Sequence, residues 1–350
     1  MNGLIGGNII ALILSSPKEN IVLDGVKRVK LAFERFLAGD SKGSKSGRPR
    51  FKNKSRYRTF TFPSVPDENL VGSAIKLPKL GVLKFIKSRN IASGFKLKTV
   101  SITRKADGYF VSFSVEDKSV PEIEINIVPT EFNTIGIDVG LEKLYVDSNN
   151  NQALPEKHLR QAEFKLAKLQ RKLEDKNRNS KAKRLIGKAI SRLHQKIARQ
   201  RKHWHYSEAH KLIRSCNVLA IEDLKIRNMK RRNKPKKVDG VFVKNGQAAS
   251  AGMNKSWSDN GVGNFLEILS QIAQKYGTRI IKVNPRGTSQ YCSQCLNKVS
   301  KTLEDRWHNC DNNTCKLSCD RDYNSAMLIK KLAVGSRQSK TLPSLKSLMS

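Results

Sequence analysis

Acidic residues are scarce in this 350-residue chain, and long apolar spans are absent. There are 30 Asp and Glu against 67 Lys and Arg, a formal charge of +37 at pH 7. The excess is spread along the chain, so whole surfaces must be positive and the expected partner is a polyanion. The lack of a membrane-spanning run or amphipathic anchor argues against a cationic membrane protein. A basic scaffold of the ribosomal type would not need acids on buried strands.

Cysteines are also few, and their distribution argues against a disulfide-stapled fold. Five of the six lie within residues 292–319, and Cys216 stands alone. In a basic intracellular protein this clustering predicts metal binding. The apolar run Gly3–Leu14 resembles a signal peptide, but it lacks a positive n-region and a small-residue cleavage site. Secretion is therefore not expected.

The hydrophobic pattern predicts two structured regions before residue 129. Apolar residues recur at helical spacing over residues 19–39, within a helical segment spanning 1–45. A Gly/Ser/Lys linker follows, and residues 46–128 then alternate as strands, with a hairpin turn at Asp107-Gly108. This pattern predicts a small basic β-barrel or sheet.

A second domain is predicted over residues 129–286 and 320–334. The strand T-I-G-I-D-V-G is followed by its hairpin partner L-Y-V-D and by two long antiparallel helices within 156–203. A buried strand N-V-L-A-I-E-D-L, a mobile basic loop, a helix near 264–276, the strand R-I-I-K-V and a final helix complete it. An acid on the first strand of this order predicts an α/β, RNase H-like fold. Residues 335–350 are expected to be a disordered tail.

Three acids fall where this fold would bring them together. Asp138 lies on the first strand before Gly140, whose missing side chain leaves room for a phosphate or metal. Glu222 ends the buried strand, and Asp322 opens the last helix. Three clustered carboxylates repel unless cations bind between them, and a pair of Mg²⁺ ions held this way cleaves phosphodiesters. The alternative for Asp138 alone is a strand-end turn.

Two neighbouring acids are expected to have other roles. Asp223 is predicted to face away from the site or to pair with Lys225. Asp320 is predicted to cap the final helix, because its side chain can accept hydrogen bonds from the free amides there.

The cysteine spacing predicts a structural zinc site within residues 287–319. Cys292 and Cys295 form one pair, Cys310 and Cys315 the other, with a 14-residue loop between them. Four thiolates suit tetrahedral Zn²⁺ and close the site to catalysis. Cys319 is a possible substitute for Cys315. A disulfide is the weaker alternative in a reducing compartment.

Basic residues are expected to hold the nucleic-acid backbone. The helical pair 156–203 has 17 Lys and Arg against four acids, an excess that a phosphate lattice favours over mere solubility. Trp307 could contact nucleic acid or pack. The residues predicted to contact nucleic acid are Arg184, Lys188, Arg192, Lys196, Arg199, Arg231, Arg232, Arg286 and Arg306.

These motifs resemble the TnpB (OrfB) proteins of bacterial insertion sequences over about residues 20–332. The segments that carry the resemblance are G-R-P-R-F-K-N-K, G-I-D-V-G, A-I-E-D-L-K-I-R-N-M, V-N-P-R-G-T-S-Q-Y-C-S-Q-C and D-R-D-Y-N-S-A-M-L-I. It implies a wedge-like β domain, a RuvC-type nuclease domain, and a zinc ribbon before the last helix. It also implies a guide RNA copied from the element's own end, cleavage of matching double-stranded DNA, and a cytoplasmic, nucleoid-associated protein.

By this resemblance Asp138, Glu222 and Asp322 are the catalytic acids, and the distance from Cys315 to Asp320 favours Cys315 over Cys319. The chain departs from the family in three places. Its start is expected to be truncated or frameshifted within the recognition region. Leu296 and Lys316 replace the usual glycines after the cysteine pairs, so different turns are expected. The second pair is spaced x4 instead of x2.

The leading hypothesis is thus an RNA-guided, metal-dependent DNA endonuclease of a mobile element. A nucleic-acid-binding remnant or regulator without cleavage is the second. A DNA-strand-transfer transposase is the third, and the Asp–Glu–Asp order with zinc before the last acid fits it poorly.

Overall fold

A computed structural model describes residues 19–39, 43, 45–51, 56–78, 80–91, 93–117, 126–302 and 304–335. The chain divides into two compact units, residues 1–122 and 123–350, a boundary close to the predicted end of the β domain at residue 128. The predictions for the run Gly3–Leu14 and for the tail 336–350 lie outside the described residues. Among the described helices, none is long and apolar enough to cross a bilayer.

Among its described residues, the first unit contains one helix and six strands. The predicted helix is α1, Glu19–Leu37, and a 3₁₀ turn spans Asp67–Asn69. The strands are β1 (Thr59–Phe62), β2 (Leu70–Val71), β3 (Ala74–Leu77), β4 (Gly81–Lys84), β5 (Phe95–Arg104) and β6 (Tyr109–Asp117). The hairpin β5–β6 turns at Asp107-Gly108 as predicted, with Arg104 opposite Tyr109.

The six described strands form two three-stranded sheets. One sheet has the order β1-β5-β6 and the other β2-β3-β4. Side chains from both sheets share one core, but no strand pairing joins the sheets among the described residues, so the predicted barrel is not confirmed. The buried residues of this core are Phe62, Val65, Ile75, Leu77, Leu97, Val100 and Ile102.

The second unit contains nine strands and six helices among its described residues. The strands are β7 (Thr134–Val139), β8 (Tyr145–Asp147), β9 (Gln152–Ala153), β10 (Val218–Glu222), β11 (Lys236–Val238), β12 (Val241–Val243), β13 (Arg279–Val283), β14 (Trp307–Asn309) and β15 (Ser318–Asp320). The helices are α2 (His158–Glu174), α3 (Lys181–Arg214), α4 (Ile226–Met229), α5 (Gln247–Asn260), α6 (Val262–Tyr276) and α7 (Arg321–Gly335).

A five-stranded mixed sheet organises this unit. Its order is β13-β10-β7-β8-β9, with β7, β10 and β13 parallel and the hairpin strands β8 and β9 antiparallel to their neighbours. Every residue of β10 is buried, as expected for a central strand covered on both faces. Helix α7 lies directly against β7: a Cβ built on Gly136 would sit 2.3 Å from the Ala326 carbonyl oxygen.

The two long helices form the predicted hairpin. The turn between them lies within 174–181, and the Ser180 hydroxyl caps α3 by accepting from the Lys183 amide at 3.1 Å. Leu166 and Ile197 are buried. The C-terminal half of α3 continues beyond the predicted end and packs with α6 in the main core through Leu212, Phe265 and Leu269.

The segment predicted as an irregular basic loop is more ordered than expected. It contains the hairpin β11–β12 and leads into the 14-residue helix α5. Polar contacts organise it: the Asn233 side chain donates to the Asn245 carbonyl at 2.8 Å, and the Asn233 amide donates to Gln247 at 2.9 Å. Such side-chain networks leave no hydrophobic period in the sequence.

Candidate acidic site and four-cysteine cluster

The three predicted acids line one cavity of about 580 Å³. Asp138 lies near the end of β7 and Glu222 ends β10. Because these strands are parallel and Ile137 pairs with Ile221, the next residues of both strands emerge at the same edge of the sheet. Asp322 lies in the first turn of α7, which packs on β7, and reaches the cavity from there.

Burial raises the pKa values of two of these carboxyls. Desolvation, then the charge of Glu222, then that of Asp322 hold the pKa of Asp138 well above its usual range. Burial also raises the pKa of Glu222, against the opposing effect of the Thr288 hydroxyl, which donates a hydrogen bond to it. Full ionisation of the three carboxyls is therefore disfavoured unless a cation offsets their charge.

The neighbouring acids Asp223 and Asp320 have other partners. Asp223 is not part of the cavity wall and lies 3.5 Å from Lys282, so its predicted pairing with Lys225 was wrong. The Asp320 carboxylate accepts from the amides of Asp322 (2.8 Å) and Tyr323 (3.1 Å). Its predicted role as the cap of the final helix is confirmed.

Sequence reasoning missed three cations in the same cavity wall, Lys143, Lys301 and Arg321. Arg321 lies between the two acids of D-R-D, which was a usable signal. Lys143 and Lys301 lie in irregular segments, where no sequence period indicates which way a side chain points.

The four predicted cysteines form a compact cluster. The Sγ atoms of Cys292 and Cys315 lie 3.7 Å apart, and those of Cys295 and Cys310 lie 3.5 Å apart. Tetrahedral zinc with Zn–S bonds of about 2.3 Å requires sulfur atoms about 3.8 Å apart, so the quartet fits this ion. All four sulfur atoms lie within 4.8 Å of one another, and Cys319 is not among them.

Among the described residues, this quartet is the only group of three or more potential ligands spaced so closely. The three carboxylates of the cavity are therefore further apart than the four thiols.

The turns after the cysteine pairs have left-handed backbone conformations. Leu296 and Lys316 have φ values of 62° and 48°, in the region that glycine favours. That these turns differ from those of the family stays a prediction. The Leu296 amide donates to the Cys292 carbonyl at 3.0 Å, and this closed turn holds the residue in place.

The residues predicted to contact nucleic acid are solvent-exposed. Arg184, Lys188, Arg192, Lys196 and Arg199 recur every three or four residues on α3, and Arg231, Arg232 and Arg286 lie on irregular segments. Arg306 is exposed but forms an ion pair with Glu142 at 2.6 Å. Trp307 is 55% exposed, and its indole N–H donates to Ser318 at 2.8 Å.

A mixed sheet with converging acids beside a four-cysteine cluster defines an α/β protein with a candidate metal-dependent centre. Two family models match the chain: OrfB_IS605, described as "Probable transposase", over residues 112–233, and the Cas12f1-like TNB domain over residues 263–329. Over residues 112–233 the chain thus matches the OrfB family model, in line with the resemblance of its motifs to the TnpB (OrfB) proteins.

Individual proteins show the same similarity. The chain is 29% identical over 252 residues to the "Putative RNA-guided DNA endonuclease InsQ" of Escherichia coli K12, covering 71% of this chain and 59% of that protein. A "Putative RNA-guided DNA endonuclease" of Streptomyces pristinaespiralis is 26% identical over 89% of this chain and 70% of its own length. TnpB-like protein L79 of a mimivirus is 23% identical, and the match covers 39% of it.

Solved structures give a weaker likeness. The Cas12f1–sgRNA–target DNA complex aligns with 89% of this chain and 78% of the Cas12f1 chain, at 17% identity and a TM-score of 0.39.

Proposed function

We propose that this chain is an RNA-guided, divalent-metal-dependent DNA endonuclease of a transposable element. The observation that carries the proposal is the convergence of Asp138, Glu222 and Asp322 on one cavity. The names of the E. coli and Streptomyces relatives support the proposal that RNA is the guide and DNA the substrate. In this proposal residues 129–286 and 320–334 form an RNase H-like, RuvC-type domain. Residues 46–128 correspond to the wedge-like domain and 1–45 to a recognition segment.

The three acids are proposed to hold two Mg²⁺ ions. Two ions in such sites lie about 3.5–4 Å apart, so they need carboxylates spread more widely than the ligands of a single closed site. The raised pKa values of Asp138 and Glu222 support this role, because burial disfavours their charged forms, and bound cations would offset that cost together with the repulsion at Asp138. Such ions, when present, lower the pKa of an attacking water and stabilise the leaving oxygen.

The chain's own groups are proposed to orient these ligands and the substrate. The Thr288 hydroxyl fixes the Glu222 carboxylate, and Asp320 holds the first turn of α7, which sets the position of Asp322. The exposed basic face of α3 is proposed to lie along a nucleic-acid backbone, while base pairing with guide RNA selects the target DNA. The four thiolates are proposed to bind a structural Zn²⁺.

The test is cleavage by the full chain copurified with RNA from its own element, on matching double-stranded DNA with Mg²⁺. Asp138→Ala should abolish cleavage. Asp223→Ala is the matched control, because it removes an acid one residue from Glu222 that pairs outside the cavity. Equal cleavage by wild type and Asp138→Ala would refute the assignment of the acids. Guide-dependent binding without cleavage by the wild type would favour the regulator hypothesis instead.

A further inference from the structure

Two of the three cations in the acidic cavity are already neutralised. The Lys143 ammonium lies 3.0 Å from Asp320, and the Arg321 Nε lies 3.5 Å from the Asp322 carboxylate. Lys301 lines the same cavity, but within the described part of the chain no carboxylate lies within ion-pair distance of it. Its positive charge is therefore the one that the wall leaves uncompensated.

Lys301 is nevertheless held in place by neutral groups. Its Nζ donates to the Ser289 carbonyl at 3.2 Å and to Nδ1 of His308. The nearby Asp305 carboxylate is engaged elsewhere, since it accepts from the amide (2.7 Å) and the hydroxyl (2.9 Å) of Thr302. The ammonium is thus held in a defined position, and burial together with the nearby Arg321 charge lowers its pKa.

His308 is well placed to fix this lysine. It is fully buried in β14, opposite Cys319 of β15. An ammonium can only donate, so Nδ1 of His308 must accept. An ammonium has three N–H donors, and the two contacts of Lys301 use two of them. One donor therefore remains for a ligand.

We propose that Lys301 is a further catalytic residue, whose free N–H donates to a non-bridging oxygen of the phosphodiester in the acidic cavity, and that His308 is its positioning residue. A phosphate entering this cavity meets three carboxylates, and an uncompensated cation on the wall offsets part of that repulsion. A preplaced donor also stabilises charge that develops on the phosphate during cleavage. The inference rests on the proposed function.

A purely structural role would give a different result, because Lys301 would then only hold the loop against Ser289. The first experiment measures single-turnover cleavage and DNA affinity for the full chain with its RNA. Lys301→Ala should slow cleavage by about 10²–10³-fold, with affinity changed less than about threefold. Lys298→Ala, an exposed lysine of the same ribbon, is the matched control and should cleave like the wild type.

Variants of His308 test the positioning role separately. His308→Leu removes the acceptor while keeping bulk and should slow cleavage about 10- to 100-fold, the usual cost of losing an orienting partner. His308→Asn retains an acceptor and should restore most of the rate. Zinc content and melting temperature should remain at the wild-type values in all variants. Wild-type cleavage by Lys301→Ala, or loss of rate only together with zinc, would overturn the inference.

A second readout separates this inference from the proposed function. Acetylation of lysine amines is followed by mass spectrometry with and without a 15-nucleotide single-stranded DNA, in magnesium-free buffer. Lys301 should be protected by DNA and Lys298 should not. If the wild type cuts no guide-matched DNA but Lys301 is protected, the endonuclease proposal fails and the phosphate contact stands. If Lys301 acetylates equally with and without DNA, the contact is refuted.

Discussion

Replacing Asp138 by asparagine should stabilise the metal-free protein while removing its response to magnesium. Burial and the charges of Glu222 and Asp322 raise the pKa of Asp138 in the folded state. The folded state therefore binds the proton more tightly than the unfolded state. Stability then falls as pH rises from the unfolded pKa through the folded pKa. The penalty therefore grows with pH over that interval.

The free-energy cost of the buried Asp138 charge can be converted into an expected change in melting temperature. Each unit of pKa difference is worth about 1.4 kcal/mol, and replacing a strained functional residue commonly yields about 0.5–2 kcal/mol. We expect Asp138→Asn to gain about 2 kcal/mol at pH 8 without magnesium. For a unit of the size of residues 123–350, this gain raises the melting temperature by about 4–8 °C.

Asp147 provides the matched control. It is buried on β8, next to β7, but its carboxylate accepts from the amides of Asn149 and Asn151, each at 2.8 Å, and from the Asn151 side chain at 2.9 Å. Asp147→Asn replaces one of these acceptors with a donor and should lose about 1–3 kcal/mol. The two Asp-to-Asn changes are thus expected to have opposite signs.

The assay is calorimetric unfolding of zinc-loaded protein at pH 5 and pH 8, with and without 10 mM Mg²⁺, and without chelator so that zinc is retained. The advantage of Asp138→Asn should be largest at pH 8 without magnesium and should shrink at pH 5. Magnesium should stabilise the wild type, by the linkage of ligand binding to folding, and should not stabilise the variant. A variant less stable than the wild type at pH 8 without magnesium would refute the reasoning, as would an equal magnesium response.

Three further changes test the fold and the cysteine cluster. Gly136→Ala should lower the free energy of unfolding by about 3 kcal/mol through overpacking, because its Cβ would lie 2.3 Å from the Ala326 carbonyl oxygen. An unchanged melting temperature would contradict this close contact. Cys315→Ser should lower the zinc content measured by mass spectrometry, and Cys319→Ser should leave one zinc per chain; the reverse result would move the fourth ligand. Lys316→Gly should stabilise the ribbon by about 1 kcal/mol, since it relieves a left-handed φ of 48° on an exposed residue; denaturant unfolding would show no gain if the turn is unstrained.

Most regular elements were predictable because burial imposes a period on the sequence. The strands that carry Asp138 and Glu222 are apolar runs, and the helical hairpin 156–203 repeats apolar residues every three or four positions. Helix boundaries follow from local capping hydrogen bonds, as at Ser180, whose hydroxyl caps α3. These signals also placed Asp138 and Glu222 at one edge of the sheet, because parallel neighbouring strands end together. Asp322 reaches the same cavity from the first turn of α7.

What the sequence did not reveal depends on tertiary contacts between polar groups. Helix α5 has few hydrophobic residues, and the segment before it is organised by Asn233 and its partners. Gly136 reads as an ordinary strand glycine until α7 packs on it. The left-handed turns at Leu296 and Lys316 contain no glycine, so the sequence did not predict them. No periodic signal marks such positions, so pattern analysis cannot recover them.

The cavity also shows that the segment 287–319 contributes directly to the acidic site beside the five-stranded sheet. Ser289, Gln290, Lys301 and Thr302 of the segment 287–319 lie in the same wall as the three acids. Their positions depend on a fold that the four cysteines hold together, since this small segment has little hydrophobic core of its own. A structural metal there would therefore act on the reaction by placing side chains beside the substrate, although it lies outside the acidic centre. The same argument explains how an exposed loop can keep Lys301 in a fixed position: its partner His308 is buried within the ribbon.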